Sequence, residues 1–296
     1  MRIVIGTRGS KLALWQAEYV RDRLQRHYPK EEFVIKMIKT KGDRIQDKPL
    51  NAIGDKGLFV KEIEQELLAG EIQMAVHSMK DMPAQIPEGL VFAKAWKRED
   101  PRDVLVLREA ESLEQLPVHA VIGTGSKRRA FQLLRLRPDL KIVDIRGNID
   151  TRLEKLRGGE LDGIVLAAAG LLRLGRESEI TQYLSVEQMI PAATQGTLAI
   201  EMQQENHRLF EMVNALADED NGRASRAERC FLEGIGGDCH LPIGAYATVR
   251  PNRQIELSAV FGNEDGSRLL YAHTVGEKPE TVARAALEEI QRQLQN

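Results

Sequence analysis

The sequence predicts an α/β protein with two doubly wound lobes and a small α+β unit at its carboxyl end. Three observations support this prediction: a strand-helix-strand pattern that occurs twice in the same order, two segments suited to cross between the copies, and a change of pattern from about residue 217. We therefore predict three domains. Their expected bounds are residues 1–96 with 192–216 for domain 1, residues 97–191 for domain 2 and residues 217–296 for domain 3.

The repeat begins with two nearly identical turns, "VIGTRGSK" at residues 4–11 and "VIGTGSK" at 121–127. Each turn follows an apolar strand and precedes an amphipathic helix. Two further pairs follow in the same order: "FVIKMIKTKGD" matches "KIVDIRGN", and "GEIQMAVHSMKD" matches "GELDGIVLAAAG". Strands that alternate with helices in this way are typical of a parallel, doubly wound sheet, which we expect in each copy.

The chain crosses between the copies at two segments in this interpretation. "EDPRD" at residues 99–103 combines a proline with four charges, and "MIPAATQGTLAIEMQ" at 189–203 leads the chain back. Beyond them, "ASRAERCFLEGI" predicts a helix. The segments "YATVR", "IELSAVF" and "LLYAHTV" predict strands, and "ETVARAALEEIQRQL" predicts a terminal helix.

Composition places the chain among ordinary globular proteins, with 42% hydrophobic and 29% charged residues in 296. The net charge of −2 predicts no general attraction to nucleic acids or membranes. The start "MRIVIGTRGS" lacks the apolar stretch of a signal peptide, so we expect a cytoplasmic protein. Two cysteines nine positions apart do not form a disulfide framework.

Both repeat turns are candidates for anion binding, because a helix that starts after a glycine turn presents free N–H groups and a positive dipole end. The alternative is that the serines cap the helices and the arginines are solvated. Carboxyl ends of parallel strands meet at one edge, so basic residues there converge on a polyanionic ligand. These turns and strand ends carry Arg8, Ser10, Lys11, Lys41, Lys80, Ser126, Lys127, Arg128, Arg129, Arg146 and Arg152.

Asp81 lies in "HSMKDMP", at the end of a predicted strand and beside Lys80. A carboxylate among basic groups can transfer a proton or stabilise a cation. An aspartate before a proline turn also commonly caps the turn, and this alternative stays open. His77 has the simpler interpretation of a core histidine.

Cys239 lies in "GIGGDCHLPIG" at residues 234–244, where flanking glycines favour access to its thiol. It is a candidate structural thiol, nucleophile or attachment point, whereas the nearby ligands are too few to favour a metal site. Cys230 falls on an apolar helix stripe and is interpreted as core packing.

Eight segments spread along the chain carry a resemblance to a known family: "GTRGSKLALWQ", "GDKGLFVKEIE", "AVHSMKDMP", "REDPRD", "GTGSKRRAFQL", "IRGNIDTRLEKL", "LAAAGLLRLG" and "CHLPIGAY". Through them the chain resembles the porphobilinogen deaminase family, also called hydroxymethylbilane synthases, over essentially its whole length. One departure is Asp238, where the family usually has glycine before the cysteine, and it puts the conformation of this loop in question.

The resemblance implies two lobes like type II periplasmic binding proteins, with a cleft between them, and a third domain that carries a cofactor. It implies that Cys239 holds a dipyrromethane cofactor through a thioether. The implied reaction, in tetrapyrrole biosynthesis, joins four porphobilinogen molecules head to tail with loss of ammonia and then releases hydroxymethylbilane by hydrolysis.

The resemblance also implies roles for individual residues, with Asp81 as the catalytic carboxylate. It implies a monomer that binds porphobilinogen and neither nucleic acid nor membrane. The residues expected to bind cofactor or substrate carboxylates are Arg8, Ser10, Lys56, Lys80, Thr124, Ser126, Arg128, Arg129, Arg146, Arg152, Arg173 and Gln195. The competing interpretations are a binding module for a small carboxylate, or the sensor domain of a regulator, and a thiol-dependent transferase for another substrate.

Overall fold

The structure is a computed structural model that describes residues 1–40, 60–236 and 241–295. The chain divides into two compact units. The first comprises Met1–Arg98 with Thr197–Gly222, and the second comprises Glu99–Gly196 with Arg223–Asn296. The three-domain boundaries expected from the sequence stay a prediction.

The described strands form three sheets, two of five strands and one of three. In chain order they are β1 (Arg2–Thr7), β2 (Glu32–Met37), β3 (Met74–Ser78), β4 (Leu90–Phe92), β5 (Asp103–Leu107), β6 (Val121–Gly123), β7 (Lys141–Val143), β8 (Gly163–Ala167), β9 (Gln182–Tyr183), β10 (Leu198–Gln203), β11 (Ile243–Val249), β12 (Ile255–Gly262) and β13 (Leu269–Gly276).

The described helices include those predicted after the two repeat turns and the two predicted in the carboxyl-terminal part of the chain. They are α1 (Lys11–His27), α2 (Lys61–Leu68), α3 (Lys127–Leu136), α4 (Ile149–Arg157), α5 (Ala168–Arg173), α6 (His207–Asn214), α7 (Glu219–Gly234) and α8 (Pro279–Gln295). None of the helices in the described ranges is both long enough and apolar enough to span a membrane.

The two five-stranded sheets share one strand order, which confirms the doubly wound repeat. The first runs β2-β1-β3-β10-β4 and the second runs β7-β6-β8-β5-β9. In each sheet four strands run in one direction, and the remaining strand, β10 or β5, is antiparallel to both of its neighbours. The sheets are therefore mixed: the predicted doubly wound arrangement is present, but one strand of each sheet is antiparallel where a parallel sheet was expected.

The antiparallel strands have a simple origin in the chain path. Asp103, the first residue of β5, lies opposite Ala167, the last residue of β8. Leu198, the first residue of β10, likewise lies opposite Ser78, the last residue of β3. Both strands therefore start at the carboxyl edge of their sheet and run away from it, opposite to the parallel strands. This direction brings Asp103 to the edge where the turns and basic residues lie.

Apolar side chains of the strands and helices bury each core, as their spacing predicts. In the first unit Ile3 and Ile5 of β1 pack with Val20 and Leu24 of α1, all fully buried. Burying such side chains stabilises the fold by roughly 1.5–3 kcal/mol each. Comparable cores lie on both faces of the second sheet.

The carboxyl-terminal part of the second unit is the predicted small α+β module. Its three strands form an antiparallel meander in the order β11-β12-β13. Phe231 of α7, Leu257 of β12 and Ile290 of α8 meet in its core, and all three are fully buried. Cys230 is half-buried against this core, and burial raises the pKa of its thiol. This placement agrees with the packing interpretation of Cys230.

A cluster of ionisable side chains is buried in the first unit. Glu64 of α2, His77 of β3 and Glu201 of β10 are each at most 7% exposed, and His77 Nε2 lies 3.2 Å from a Glu201 carboxylate oxygen. Burial, followed by the charge of Glu201, raises the pKa of Glu64 to about 7, although Lys61 opposes this shift. Glu64 is therefore a carboxyl group that gains a proton on folding near neutral pH.

The proton on Glu64 makes stability depend on pH with a definite sign. Because its pKa is higher in the folded chain than the ordinary value of 4.5, the stabilisation is full below pH 4.5 and is lost as pH rises towards 7. Between pH 4.5 and 7 we expect the free energy of unfolding of the wild type to fall by roughly 2 kcal/mol through Glu64, after allowance for solvent screening. Glu64→Gln should lack this fall. Urea unfolding at a series of pH values measures the difference. Glu18→Gln, at an exposed position of α1, serves as the control, and equal slopes in all three proteins would contradict the assignment.

Candidate functional site

Four predicted site residues lie at the carboxyl edge of the first sheet. Arg8 and Ser10 follow β1, and Lys80 and Asp81 follow β3. Because β1 and β3 are parallel neighbours, the two pairs emerge at the same edge. Ser10 caps α1, with its hydroxyl accepting a hydrogen bond from the Ala13 N–H at 3.3 Å. The capping alternative is thus observed for Ser10, and Arg8 lies beside it in the turn as a half-buried cation.

Asp81 ends a short 3₁₀ turn, Met79–Asp81, directly after β3. The turn is anchored through its backbone, since the Met79 N–H donates to the Thr197 carbonyl at 3.0 Å. Gln16 of α1 fixes the strand end by donating to the Ser78 hydroxyl at 2.9 Å. The Asp81 side chain is exposed, and within the described part of the chain it forms no hydrogen bond or ion pair. It therefore does not act as a cap, and its carboxylate is open to a ligand.

The second sheet presents its predicted site residues in the same way. Thr124 and Ser126 follow β6, and the Ser126 hydroxyl caps α3 by accepting from the Arg129 N–H at 3.5 Å. Arg146 follows β7 and has its Nε 3.3 Å from the Asp144 carboxylate. The parallel strands β6, β7 and β8 end at one edge, so these groups lie at it together.

Two further arginines at this edge are held by main-chain carbonyls. Arg152 of α4 donates from Nε to the Gly147 carbonyl at 2.9 Å. Arg173 ends α5, which directly follows β8, and donates from Nη2 to the Gly196 carbonyl at 2.6 Å. Arg173 is buried and Arg152 is half-buried. The carbonyl partner helps to orient each guanidinium group.

A buried carboxylate, Asp103, binds three of the predicted site residues. Arg128 donates from Nη1 to one carboxylate oxygen at 2.7 Å. Arg129 donates to the other oxygen from Nε at 2.9 Å and from Nη2 at 2.7 Å, and Gln195 Nε2 donates to that same oxygen at 3.0 Å. All four residues are at most 7% exposed. Sequence reasoning had not identified Asp103 as part of the site.

Burial and charge act against each other on the pKa values of Asp103 and Arg128. Burial alone raises the pKa of Asp103, but Arg128 and then Arg129 outweigh that effect and hold the pKa well below its usual range. Burial lowers the pKa of Arg128, against the charge of Asp103. Among the described residues, these two guanidinium cations share one carboxylate, which leaves an excess positive charge in a buried place. An anion at this edge would offset that charge, because an uncompensated buried cation is costly.

Main-chain oxygens complete the shell around the two arginines. The Ile190 carbonyl accepts from Arg128 Nη1 at 2.8 Å, and the Val165 carbonyl accepts from Arg129 Nη1 at 3.1 Å. The Gln195 amide also donates to the Pro101 carbonyl at 2.8 Å. These contacts fix the guanidinium groups at the first turn of α3, whose dipole also favours an anion. A ligand with carboxylate or phosphate groups fits this arrangement.

Four residues singled out from the sequence lie outside the described residues: Lys41, Lys56, Asp238 and Cys239. The site roles assigned to individual residues stay predictions.

The comparisons with known proteins point to one family. Residues 3–211 match the family model "Porphobilinogen deaminase, dipyromethane cofactor binding domain", and residues 223–292 match "Porphobilinogen deaminase, C-terminal domain". The porphobilinogen deaminase of Lachnospira eligens is 56% identical over 97% of this chain and 98% of its own length. That of Clostridioides difficile is 51% identical over 94% of this chain and 92% of its own.

Among solved structures, the second substrate binding domain of a putative amino acid ABC transporter from Streptococcus pneumoniae aligns with a TM-score of 0.46 and 12% identity, over 80% of this chain and 95% of its own.

Asp103→Asn tests the shared carboxylate. The substitution keeps the shape of the side chain but leaves two buried guanidinium groups without their counter-charge, so we expect a loss of about 3 kcal/mol or more in the free energy of unfolding. Urea titration of the purified variant measures it. Asp22→Asn removes an exposed pair with the neighbouring Arg21 and should change little. Equal stability of both variants would show that the Asp103 group contributes no more than an exposed ion pair.

Proposed function

Because the chain belongs to the porphobilinogen deaminase family and carries that family's dipyrromethane cofactor-binding domain, we propose that it is a transferase acting on porphobilinogen. It joins four porphobilinogen molecules head to tail, releases ammonia at each step, and then releases hydroxymethylbilane by hydrolysis.

The observation that carries this proposal is the excess positive charge at Arg128, Arg129 and Asp103. Each pyrrole of the substrate and of the growing chain bears an acetate and a propionate, so the ligand is a polymer of carboxylates. Guanidinium groups bind carboxylates through paired hydrogen bonds, and burial strengthens this attraction. A site with an unmatched buried cation at a helix N-terminus suits such a ligand.

The same donor set fits the family's cofactor, which also carries carboxylates. When bound, the dipyrromethane group supplies the pyrrole carbon to which new units are joined. Thr124, Ser126, Arg128 and Arg129 would hold its carboxylates, since they combine hydroxyl and guanidinium donors at one helix start. Cys239 would attach it, and its loop precedes β11 in the carboxyl-terminal module.

The remaining basic residues would bind the carboxylates of substrate and product. In the first unit these are Arg8 and Lys80, at the edge that also carries Asp81. In the second unit they are Arg146, Arg152 and Arg173, of which the last two are already oriented by main-chain carbonyls. Side chains that are already oriented lose less conformational entropy when a ligand binds. We propose the same role for Lys56, and for Ser10 and Gln195 as neutral hydrogen-bonding groups.

Asp81 is the proposed catalytic residue. Its carboxylate is exposed and unengaged within the described residues, while the turn that carries it is fixed by backbone contacts. A carboxylate held in this way can accept a proton from the reacting pyrrole and stabilise positive charge that develops as ammonia leaves.

The family resemblance further supports a cytoplasmic monomer without nucleic-acid or membrane partners, and we propose this state for the chain.

The intact mass of the purified protein tests the proposed function. We expect a covalent excess equal to two linked pyrrole rings, because the primer is assembled on Cys239 from the enzyme's own substrate. Cys239→Ser should lack the excess, whereas Cys230→Ser should retain it, since Cys230 packs against the core of the carboxyl-terminal module. An unmodified wild-type chain from a host that makes porphobilinogen would refute the proposal and favour a carboxylate-binding module.

Asp81→Asn tests the catalytic assignment. The amide keeps the size of the side chain but cannot accept the proton as a carboxylate does, so we expect turnover to fall by about 100-fold or more. Porphobilinogen consumption and hydroxymethylbilane release are measured, with thermal unfolding as a check on the fold. Asp265→Asn, in an exposed turn, provides the charge-matched control. Turnover of Asp81→Asn close to that of the control would remove Asp81 from the mechanism.

A further inference from the structure

Thr194 has a backbone conformation that its residue type disfavours. Its φ is 61°, in the left-handed region, where a β-branched side chain is strained. His119 and Arg253 also have positive φ values, but both are exposed, whereas Thr194 is 1% exposed. A buried β-branched residue in this conformation persists only when its surroundings determine the backbone, and such positions cluster at functional sites.

Glu228 supplies the surroundings that hold Thr194. It lies on α7, is fully buried, and uses both carboxylate oxygens as acceptors for backbone N–H groups. One oxygen accepts from Thr194, and the other accepts from Ala247 of β11 at 2.7 Å. Nearby, the Ala245 N–H donates to the Pro191 carbonyl at 3.0 Å. Residues 190–196, here called the return segment, are thereby fixed to the carboxyl-terminal module.

The residues that follow Thr194 connect this strained turn to the buried charges. Gln195, the next residue, donates its side-chain amide to Asp103 at 3.0 Å and to the Pro101 carbonyl at 2.8 Å. The Gly196 carbonyl then accepts from Arg173 at 2.6 Å. The direction in which the chain leaves Thr194 therefore determines where two of the proposed carboxylate-binding residues are held.

We propose that Glu228 is a positioning residue for the reaction, acting through the left-handed backbone of Thr194 on Gln195 and Asp103. Glu228 acts indirectly in this role. It fixes the Thr194 N–H, the backbone fixes the Gln195 amide, and the amide helps to fix the carboxylate that both arginines share. The inference rests on the proposed function, since it assumes that these groups bind the cofactor and substrate.

The chemistry of the carboxylate explains why glutamate is needed at position 228. Two backbone N–H groups point at two different oxygens, and glutamine offers only one oxygen. In Glu228→Gln the side-chain NH₂ would face one of the N–H groups, which leaves a buried donor unsatisfied. The left-handed conformation of Thr194 would then lose its support and relax.

The test compares Glu228→Gln with double variants that change the backbone preference of residue 194. Glu228→Gln/Thr194→Gly removes the β-branched side chain and also lets the backbone keep a positive φ at no steric cost. Glu228→Gln/Thr194→Ala removes nearly the same atoms but retains a Cβ, and so retains much of the strain. Glu233→Gln, at an exposed position on the same helix, makes the same charge change as Glu228→Gln and serves as the control.

We expect turnover per cofactor-loaded Glu228→Gln enzyme to fall by about tenfold, because misplaced binding groups reduce transition-state stabilisation. Adding Thr194→Gly should recover most of this loss, adding Thr194→Ala should not, and the control should match the wild type. Intact mass gives the loaded fraction, and thermal unfolding is recorded for every variant.

Two results would overturn the inference. One is a Glu228→Gln enzyme that unfolds at a lower temperature but keeps the turnover of the wild type. The other is equal turnover in the two double variants, with Thr194→Gly and with Thr194→Ala, which would mean that the backbone conformation is not the link. Failure of the proposed function is distinguishable from both, because the wild-type chain itself would then carry no pyrrole adduct and consume no porphobilinogen.

Discussion

The arrangement of the second unit depends on one shared carboxylate. Asp103 receives hydrogen bonds from Arg128, Arg129 and Gln195 with almost no exposure to water. Without Asp103, two guanidinium groups could not be kept at the start of α3, because their mutual repulsion and desolvation would be uncompensated. With a second acid in place, the charge would be balanced and the attraction for a carboxylate ligand would be lost. A single aspartate both permits the burial and leaves positive charge for the proposed carboxylate ligand.

The strand order determines where this carboxylate lies. β5 starts at the carboxyl edge of the sheet, so its first residue, Asp103, lies at that edge and not at the opposite one. The same topology in the first sheet starts β10 next to the end of β3, where the turn with Lys80 and Asp81 begins. In both sheets the turns and helix starts that follow the parallel strands lie at the carboxyl edge. The antiparallel strand begins at this same edge and adds contacts there.

Local sequence was sufficient to predict the repeated turns, the helices after them and the strand ends that carry Arg8, Asp81 and Ser126, because these features depend on neighbouring residues. The direction of β5 was not predictable in this way, since a buried apolar run reads the same in either direction. Asp103 was missed for this reason: its partner Arg128 is 25 residues away, and nothing local marks the pair. The support of Thr194 by Glu228 likewise depends on a contact across 34 residues.

The carboxyl-terminal module is held to the arginine helix at a second place, independent of the return segment. Gly266, in the turn between β12 and β13, has a φ of +73° and packs so closely on Phe131 of α3 that a Cβ there would lie 2.4 Å from the ring. One helical turn further, Arg135 lies over the Tyr271 ring, 4.6 Å from its centroid. Two separate attachments prevent the module from rotating about either one. The sheet of the module is therefore held in a fixed position relative to the arginines of α3, which a single flexible connection could not ensure.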